Sequence, residues 1–378
     1  MKNPFEYGGV VSGNAFCNRE KEVADLLRAI ENNEKLFVFS ERRYGKTSLV
    51  QTALGKLPRK GCVCSYVDLW PTDSEATFVT AVAKAITEST STSVDKVLET
   101  AKRFFGSLAP SVTTDEEGKP VLTFGISKHA KVGPALDEVL ETPAKIAAKG
   151  KLNVVVVFDE FQQILEYGSD QVERKLRSVI QTHQNVGYIF LGSRKHLIQK
   201  MFTDRSRPLY RAGGHYPLGP IAEDHWQPFI RKRFADAGKV ISKQHIHDVC
   251  ELTHGHPFYT QHLCHVLWEL CEPKAETTSK MIQSAVRVLL ERENYAYTTL
   301  WESLTIPQKR FLNGLAGESA GVKVFAGEFV RRYALGSASN VQRAVDGLLE
   351  RDVIDRDNGS FLITDRFFRL WIQAAQVS

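Results

Sequence analysis

The spacing of hydrophobic positions changes character along the 378-residue chain, and each change marks an element. Val23, Leu26, Leu27 and Ile30 fall at i, i+3, i+4 and i+7, the apolar face of a helix that Asn18 is placed to cap. The continuous run Leu36-Phe37-Val38-Phe39 follows and predicts a strand. A second strand is expected near 62–69 and a helix near 75–87. The Ser/Thr-rich stretch 87–93 breaks the pattern, and the residues up to Lys131 predict a helix and then a hairpin turning at Glu117-Gly118-Lys119-Pro120. This segment, 88–132, reads as an insertion of no assignable role. Beyond it come a helix ending near 149–150, a strand over 152–158 that carries the uninterrupted run Val154-Val155-Val156-Val157-Phe158, a helix over 171–183, a strand over 187–191 and a short strand over 215–218.

Strands alternating with helices in this way imply a parallel sheet covered on both faces. From Glu223 to about Arg292 the period is wholly helical, which predicts a small lid domain. After Trp301 a helix opened by Pro307, a second over 326–333 and a third over 339–351 precede two short strands about the turn Asp357-Asn358-Gly359. Three helices and a hairpin in that order make a winged helix. The expected fold is therefore α/β: a P-loop NTPase sheet core over 1–220, a helical lid domain over 221–300 and a C-terminal winged helix over 301–378.

Chemistry enters where the first strand ends. Residues 40–46 read Ser-Glu-Arg-Arg-Tyr-Gly-Lys, followed by Thr47 and Ser48. A tight loop of this kind wraps phosphates with backbone N–H groups, Lys46 reaches the outer phosphate oxygens, Thr47 ligates Mg²⁺, and a helix opening at Gly45 adds its positive end. The pattern departs from G-x-x-x-x-G-K-S/T at Ser40, which can follow a strand without positive φ. The second half of the site is the strand that ends in Phe158-Asp159-Glu160. Its carboxylates stand at the C-terminal edge, where open α/β sheets bind ligands. Asp159 is expected to hold Mg²⁺ and Glu160 to polarise an attacking water.

Composition adds bounds. With 43% hydrophobic and 25% charged residues the chain can bury a large core, and no run of about 18 apolar residues suggests a membrane span. The start Met1-Lys2-Asn3-Pro4 does not read as a signal peptide, so a cytoplasmic protein without membrane partners is expected. The six cysteines lack zinc-site spacing and most read as reduced, buried small side chains, with Cys62 and Cys64 on one strand face in a pattern that suits core packing. His262 and His265 stand three apart on a helix, a spacing that suits a metal, but only Cys264 lies near as a partner. A net charge of +5 is mild. Between Gly192 and Gly214, however, Arg194, Lys195, Lys200, Arg205, Arg207 and Arg211 face the single acid Asp204, either as a solvated face or as charge gathered around a polyphosphate.

In sum these motifs resemble the archaeal-type ATPases of the signal-transduction (STAND) class, relatives of the AAA-type initiators. Phe16-Cys17-Asn18-Arg19-Glu20-Lys21-Glu22 resembles the family's entry motif, which packs near base and ribose, and implies nucleotide contact at Arg19. Arg42-Arg43-Tyr44-Gly45-Lys46-Thr47-Ser48 matches its phosphate loop, Leu191-Gly192-Ser193-Arg194 its sensor strand, and Gly255-His256-Pro257 its G-x-P element. The ending Thr364-Asp365-Arg366-Phe367-Phe368-Arg369-Leu370-Trp371 resembles the terminal winged-helix signature, and packing logic places its aromatics in a core. The resemblance implies ATP and Mg²⁺ as ligands, with Arg194 reporting on the γ-phosphate and Pro257 beside the nucleotide.

The function expected is a slow, Mg²⁺-dependent ATPase acting as a conformational switch. A nucleotide-regulated DNA-binding protein is the alternative, since winged helices often read the major groove. From Trp301 onward, though, ten bases face nine acids, a balance of +1 that is low for a phosphate-tracking module, and an intramolecular or protein-binding wing, or self-association, is favoured over duplex DNA. A third reading is a tight ATP or ADP binder with negligible turnover.

Overall fold

The computed structural model describes residues 2–377 apart from 12, 14–15, 59–60, 91–93, 115–119, 128–129, 151, 320 and 358. The chain forms two compact units, one of Arg19–Ser40 with Lys46–Leu218, the other of residues up to Asn18, Glu41–Gly45 and Gly219 onward.

The first unit is built on β1 (Lys35–Phe39), β2 (Cys62–Asp68), β5 (Asn153–Asp159), β6 (Val186–Gly192) and β7 (Gly214–Pro217). They pair in the order β2-β5-β6-β1-β7, all parallel. In β5 every residue after Asn153 is buried and β6 is buried throughout, as central strands covered on both faces require. The covering helices are α1 (Glu20–Glu31), α2 (Lys46–Lys56), α3 (Glu75–Thr90), α5 (Val132–Gly150), α6 (Gln171–Thr182) and α7 (Lys195–Thr203). Phe37, Phe158, Phe161 and Phe190 stack through the middle of the core.

The insertion forms α4 (Val94–Phe104) and an antiparallel pair, β3 (Leu108–Thr114) with β4 (Pro120–Ile126), as its sequence suggests; residues 117–119 of its turn lie outside the described residues. It shares the sheet's core through Ala101, Phe105 and Leu108, and Glu138 of α5 accepts the N–H groups of Gly106 and Ser107.

The second unit contains α8 (Glu223–Ala235), α9 (Lys243–Thr253), α10 (Pro257–Leu270) and α11 (Ser279–Glu302), then α12 (Ile306–Gly317), α13 (Gly327–Arg332), α14 (Ala338–Glu350), the hairpin β8 (Ile354–Asp357) and β9 (Ser360–Ile363), and α15 (Arg366–Val377). Asn358, in the expected hairpin turn, lies outside the described residues. One continuous core joins α8–α11 to the winged-helix segment, from Phe5 and Trp226 to Phe311, Phe367 and Phe368. Phe5 and Cys17, which precede α1 in sequence, belong to this core.

Three local expectations need correction. Asn18 does not cap α1: it takes φ 52°, Arg19 occupies the N-cap position at φ 73°, and no side chain caps the helix. The helix after the phosphate loop begins at Lys46, because Gly45 takes φ 80°. Cys62 and Cys64 are only half-buried, their sulfurs 3.7 Å apart, whereas Cys17, Cys250, Cys264 and Cys271 are buried; all six are free thiols.

Candidate functional site

At the end of β1 the chain stays extended through Ser40, whose N–H donates to the Gly192 carbonyl at 3.4 Å. Ser40 is buried and is not among the positive-φ residues, so a glycine is not required there. The loop then curls through left-handed Arg43 (φ 60°) and Gly45 (φ 80°) and enters α2. Lys46, only 5% exposed, folds back and donates from Nζ to Ser40 Oγ at 3.0 Å. One residue on, the Thr47 hydroxyl donates to Asp159 Oδ2 at 2.8 Å. Ser48 is buried on the same helix.

Asp159 closes β5 as the last paired residue, opposite Asp68 of β2. Its Oδ1 accepts the Glu160 N–H at 2.9 Å, and its Oδ2 accepts a second hydroxyl, that of Tyr66 on β2. Burial, and then the negative charges of Asp159 and Asp68, push the Tyr66 phenol well above its ordinary range, so it remains a donor. Glu160 takes φ 51° and leads into a 3-10 turn, Phe161–Tyr167. Its Oε2 accepts from Ser193 Oγ at 2.6 Å and from Gln162 Nε2. The carboxylate expected to polarise water is thereby held at the ends of β5 and β6. Arg194, N-cap of α7, stands with Nη1 3.8 Å from Glu166.

A hydroxyl and a carboxylate 2.8 Å apart, both hard oxygen donors, fit a small divalent cation such as Mg²⁺. Within the sheet unit the Lys46 ammonium, the Thr47 hydroxyl and the Asp159 and Glu160 carboxylates lie where β1 and β5 end and α2 begins. Tyr66 and Gln162 are additional; no local motif marks them, because sheet register and the turn after β5 bring them in, while Ser193, inside the sensor-strand stretch 191–194, takes the Glu160 carboxylate as its acceptor.

The other expected residues have different partners. Arg19 is buried and pairs with Glu22 at 2.8 Å. In the second unit, Glu41 Oε2 lies 2.8 Å from Arg366 Nη2 and Arg42 Nη2 lies 2.9 Å from Asp352. The Arg43 guanidinium sits 4.3 Å from the centre of the Phe258 ring. Tyr44 is buried, its hydroxyl 3.3 Å from Glu41 and its ring edge-on to His256. His256 bonds the Arg42 carbonyl through Nε2 at 3.2 Å and accepts at Nδ1 from the Phe258 N–H, capping α10. Pro257 occupies the first turn of that helix. Side chains at 41–44 thus contact α10, its cap and the winged-helix segment.

The basic stretch after β6 is partly neutralised. Arg207 pairs with Glu173, a carboxylate only 2% exposed whose burial raises its pKa. Arg211 lies over the Tyr210 ring at 5.3 Å, and Arg205 is exposed. His262 stacks on Tyr7, and His265 bonds the Phe5 carbonyl at 2.8 Å and pairs with Glu269 at 3.0 Å, so both act in packing. Among the described residues no three His, Cys, Asp or Glu side chains are grouped to hold a metal, and no helix is long and apolar enough to cross a membrane.

Comparison with known proteins places this arrangement. Residues 16–263 match the model of an ATPase domain predominantly from Archaea, and residues 295–374 match that of a "probable winged helix domain". No curated protein sequence matches the chain. The Walker-type ATPase paby2304 of Pyrococcus abyssi has a similar fold, with a TM-score of 0.66 at 16% identity over 98% of this chain and 99% of its own. The ORC2 protein of Aeropyrum pernix, solved in ADPNP–ADP complexes, superimposes with a TM-score of 0.57 at 14% identity, covering 100% of this chain and 99% of that one.

Proposed function

The chain belongs to the ATPase-domain family found predominantly in Archaea, a P-loop fold joined here to a winged helix, and from that premise we propose that it is a slow, Mg²⁺-dependent ATPase working as a nucleotide-driven switch of the STAND and AAA type. The observation that carries the reading is the convergence of Lys46, Thr47, Asp159 and Glu160 at the C-terminal edge of the sheet. The fold is shared with an ORC2 protein solved with adenine nucleotides, which supports ATP and ADP as the ligands.

Each residue has a task in that mechanism. Backbone N–H groups of the curled loop and the Lys46 ammonium hold phosphate oxygens, and Thr47 with Asp159 holds the metal. Bound Mg²⁺ supplies neutralisation of phosphate charge. Glu160 orients the attacking water once its carboxylate leaves Ser193 and Gln162, so the arrangement described here is a resting one. Arg194 faces the γ-phosphate in the loaded state. Residues 41–45 connect nucleotide binding to the wing, since Glu41 and Arg42 are ion-paired to Arg366 and Asp352.

The same pairs favour an intramolecular or protein-binding wing over duplex DNA. Arg366 is committed to Glu41, and Arg332 to Glu318 and Glu328. A cytoplasmic setting accords with six free thiols.

The test is ATP binding and turnover with Mg²⁺ for the wild type, Lys46→Ala and Glu160→Gln, with and without duplex DNA. Lys46→Ala is expected to lose binding, and Glu160→Gln to bind without turning over. Turnover that survives Glu160→Gln would remove that residue from the mechanism, and strong stimulation by DNA would replace the protein-binding wing with a DNA-binding one.

A further inference from the structure

We propose that Tyr66 is a positioning residue for the metal-binding carboxylate: its phenol fixes the Asp159 side chain in the orientation that lets Thr47 and Asp159 share a divalent cation. The inference rests on the nucleotide-site reading above and adds a residue that neither the motifs nor the family match assigns.

Asp159 is 6% exposed, at the end of a strand whose preceding residues are apolar and buried. A buried carboxylate there needs hydrogen-bond donors on its oxygens. Among the described residues it has three: the Glu160 N–H on Oδ1, and the hydroxyls of Thr47 and Tyr66 on Oδ2. They are not equivalent. The Glu160 N–H belongs to the next peptide and moves with Asp159 itself, so it fixes little about the approach to the loop. Thr47 is the proposed co-ligand, and it spends its one proton on Oδ2 while its lone pairs stay open to a cation. Tyr66 comes from the strand paired with β5, β2, and has no ligand role of its own.

Register explains how it reaches. Tyr66 lies opposite Val157 and Asp68 opposite Asp159, so the phenol extends along the strand direction by two residues to meet the carboxylate. The ladder continues past the site through Leu69 N–H to the Asp159 carbonyl at 3.1 Å, holding both strands fixed at that point. The resulting geometry is a carboxylate pinned from both sides with Thr47 between it and the phosphate loop. Hydrogen-bond partners of metal ligands usually contribute about 10–100-fold to metal affinity.

Tyr66→Phe keeps the ring and removes only the donor. ADP affinity is measured by calorimetry in EDTA and across a Mg²⁺ titration, beside wild type and Asp159→Asn, with the urea midpoint of each protein recorded without nucleotide. Tyr66→Phe is expected to raise the Mg²⁺ concentration for half-maximal tightening by about 10–100-fold, with ADP affinity in EDTA and the urea midpoint unchanged. Asp159→Asn is expected to abolish the Mg²⁺ response. A Mg²⁺ midpoint within about twofold of wild type, well below the usual effect of such partners, overturns the proposal, as does a loss of ADP affinity in EDTA as large as that in Mg²⁺. Where the urea midpoint reveals a folding defect, Tyr66→His, which keeps a ring with an N–H, carries the comparison and is expected to respond between Phe and wild type. A wild type that binds no nucleotide overturns the site reading together with this inference; a Mg²⁺-responsive wild type with an indifferent Tyr66→Phe overturns this inference alone.

Discussion

Replacing Arg366 by methionine removes the cation from an ion pair that lies almost wholly out of water. Arg366 and Glu41 side chains are 9% and 12% exposed, with Nη2 and Oε2 2.8 Å apart. Arg366 Nη1 also donates to the Ile363 carbonyl at 2.7 Å, and Tyr44 donates to the other Glu41 oxygen at 3.3 Å. Charges about 4 Å apart attract by about 4 kcal/mol at an effective dielectric of 20. Desolvating the two ions costs several kcal/mol each, so the intact pair is worth little relative to apolar replacements, while breaking it costs about 3–5 kcal/mol. Arg366→Met is therefore expected to lose about 3–5 kcal/mol and Glu41→Gln about 2–3 kcal/mol. The double variant should recover much of the loss, giving a coupling energy above about 2 kcal/mol. Urea unfolding followed by tryptophan fluorescence suits the measurement, because Trp226, Trp268, Trp301 and Trp371 belong to the same unit as the pair and only Trp70 lies in the sheet unit. With m near 2 kcal/mol/M, Arg366→Met should lower the midpoint by more than about 1 M. Losses that add within about 0.5 kcal/mol would refute the reasoning.

Ser40→Gly should alter ADP affinity by less than about tenfold, since it forfeits one hydroxyl–ammonium contact worth about 1 kcal/mol; complete loss of calorimetric binding would show the serine to be essential. His262, stacked on Tyr7 with a buried, unpartnered Nδ1, has its pKa lowered to about 4, first by burial and then by His265, Arg292 and Arg43. Its folded pKa lies below its unfolded one, so its contribution is present above about pH 6.5 and is lost as pH falls toward about 4; urea midpoints at pH 7 and pH 5 should differ more in wild type than in His262→Phe. Gly255 takes φ 64° and a Cβ there would lie 2.4 Å from the Ile221 carbonyl oxygen, which receives no relief from the adjoining Ile221 N–H bond to Gly255. Gly255→Ala should cost about 2 kcal/mol or more in the same urea titration, and a neutral outcome would mean that the turn before α10 is free to shift.

The core of this fold was legible where one sequence period had one structural meaning. An unbroken apolar strand ending in Asp159 and Glu160 has few folds open to it, and the loop at 40–48 follows a strand as phosphate loops do. The helix face of α1 was legible for the same reason: Val23, Leu26 and Ile30 are buried at the expected spacing. Asn18 failed as a cap because capping needs extended backbone at that residue, and Asn18 and Arg19 are both left-handed. Tyr66 was illegible because its partner is fixed by strand register, which no local pattern records. Arg366 and Glu41 lie 325 positions apart, and a lone charge in each segment carries no sign of the other.

Those distant pairs suggest why the variable positions of the phosphate loop are so heavily charged here. A loop of this kind holds phosphate with its backbone and with Lys46, so the side chains at 41–44 have no obligatory role in that chemistry. In this protein all four are engaged elsewhere: Glu41 with Arg366, Arg42 with Asp352, Arg43 with Phe258, and Tyr44 with Glu41 and His256. On the proposed reading, a nucleotide that draws the loop amides inward strains these contacts directly, with no intervening chain of side chains needed. Such a contact biases an equilibrium only by the difference in its strength between two states. A buried pair of low net value but high breaking cost supplies that difference, whereas exposed salt bridges, worth at most about 1 kcal/mol, would not. Arg366→Met should therefore change ADP affinity as well as stability, and an affinity equal to wild type in a folded variant would uncouple the wing from the site.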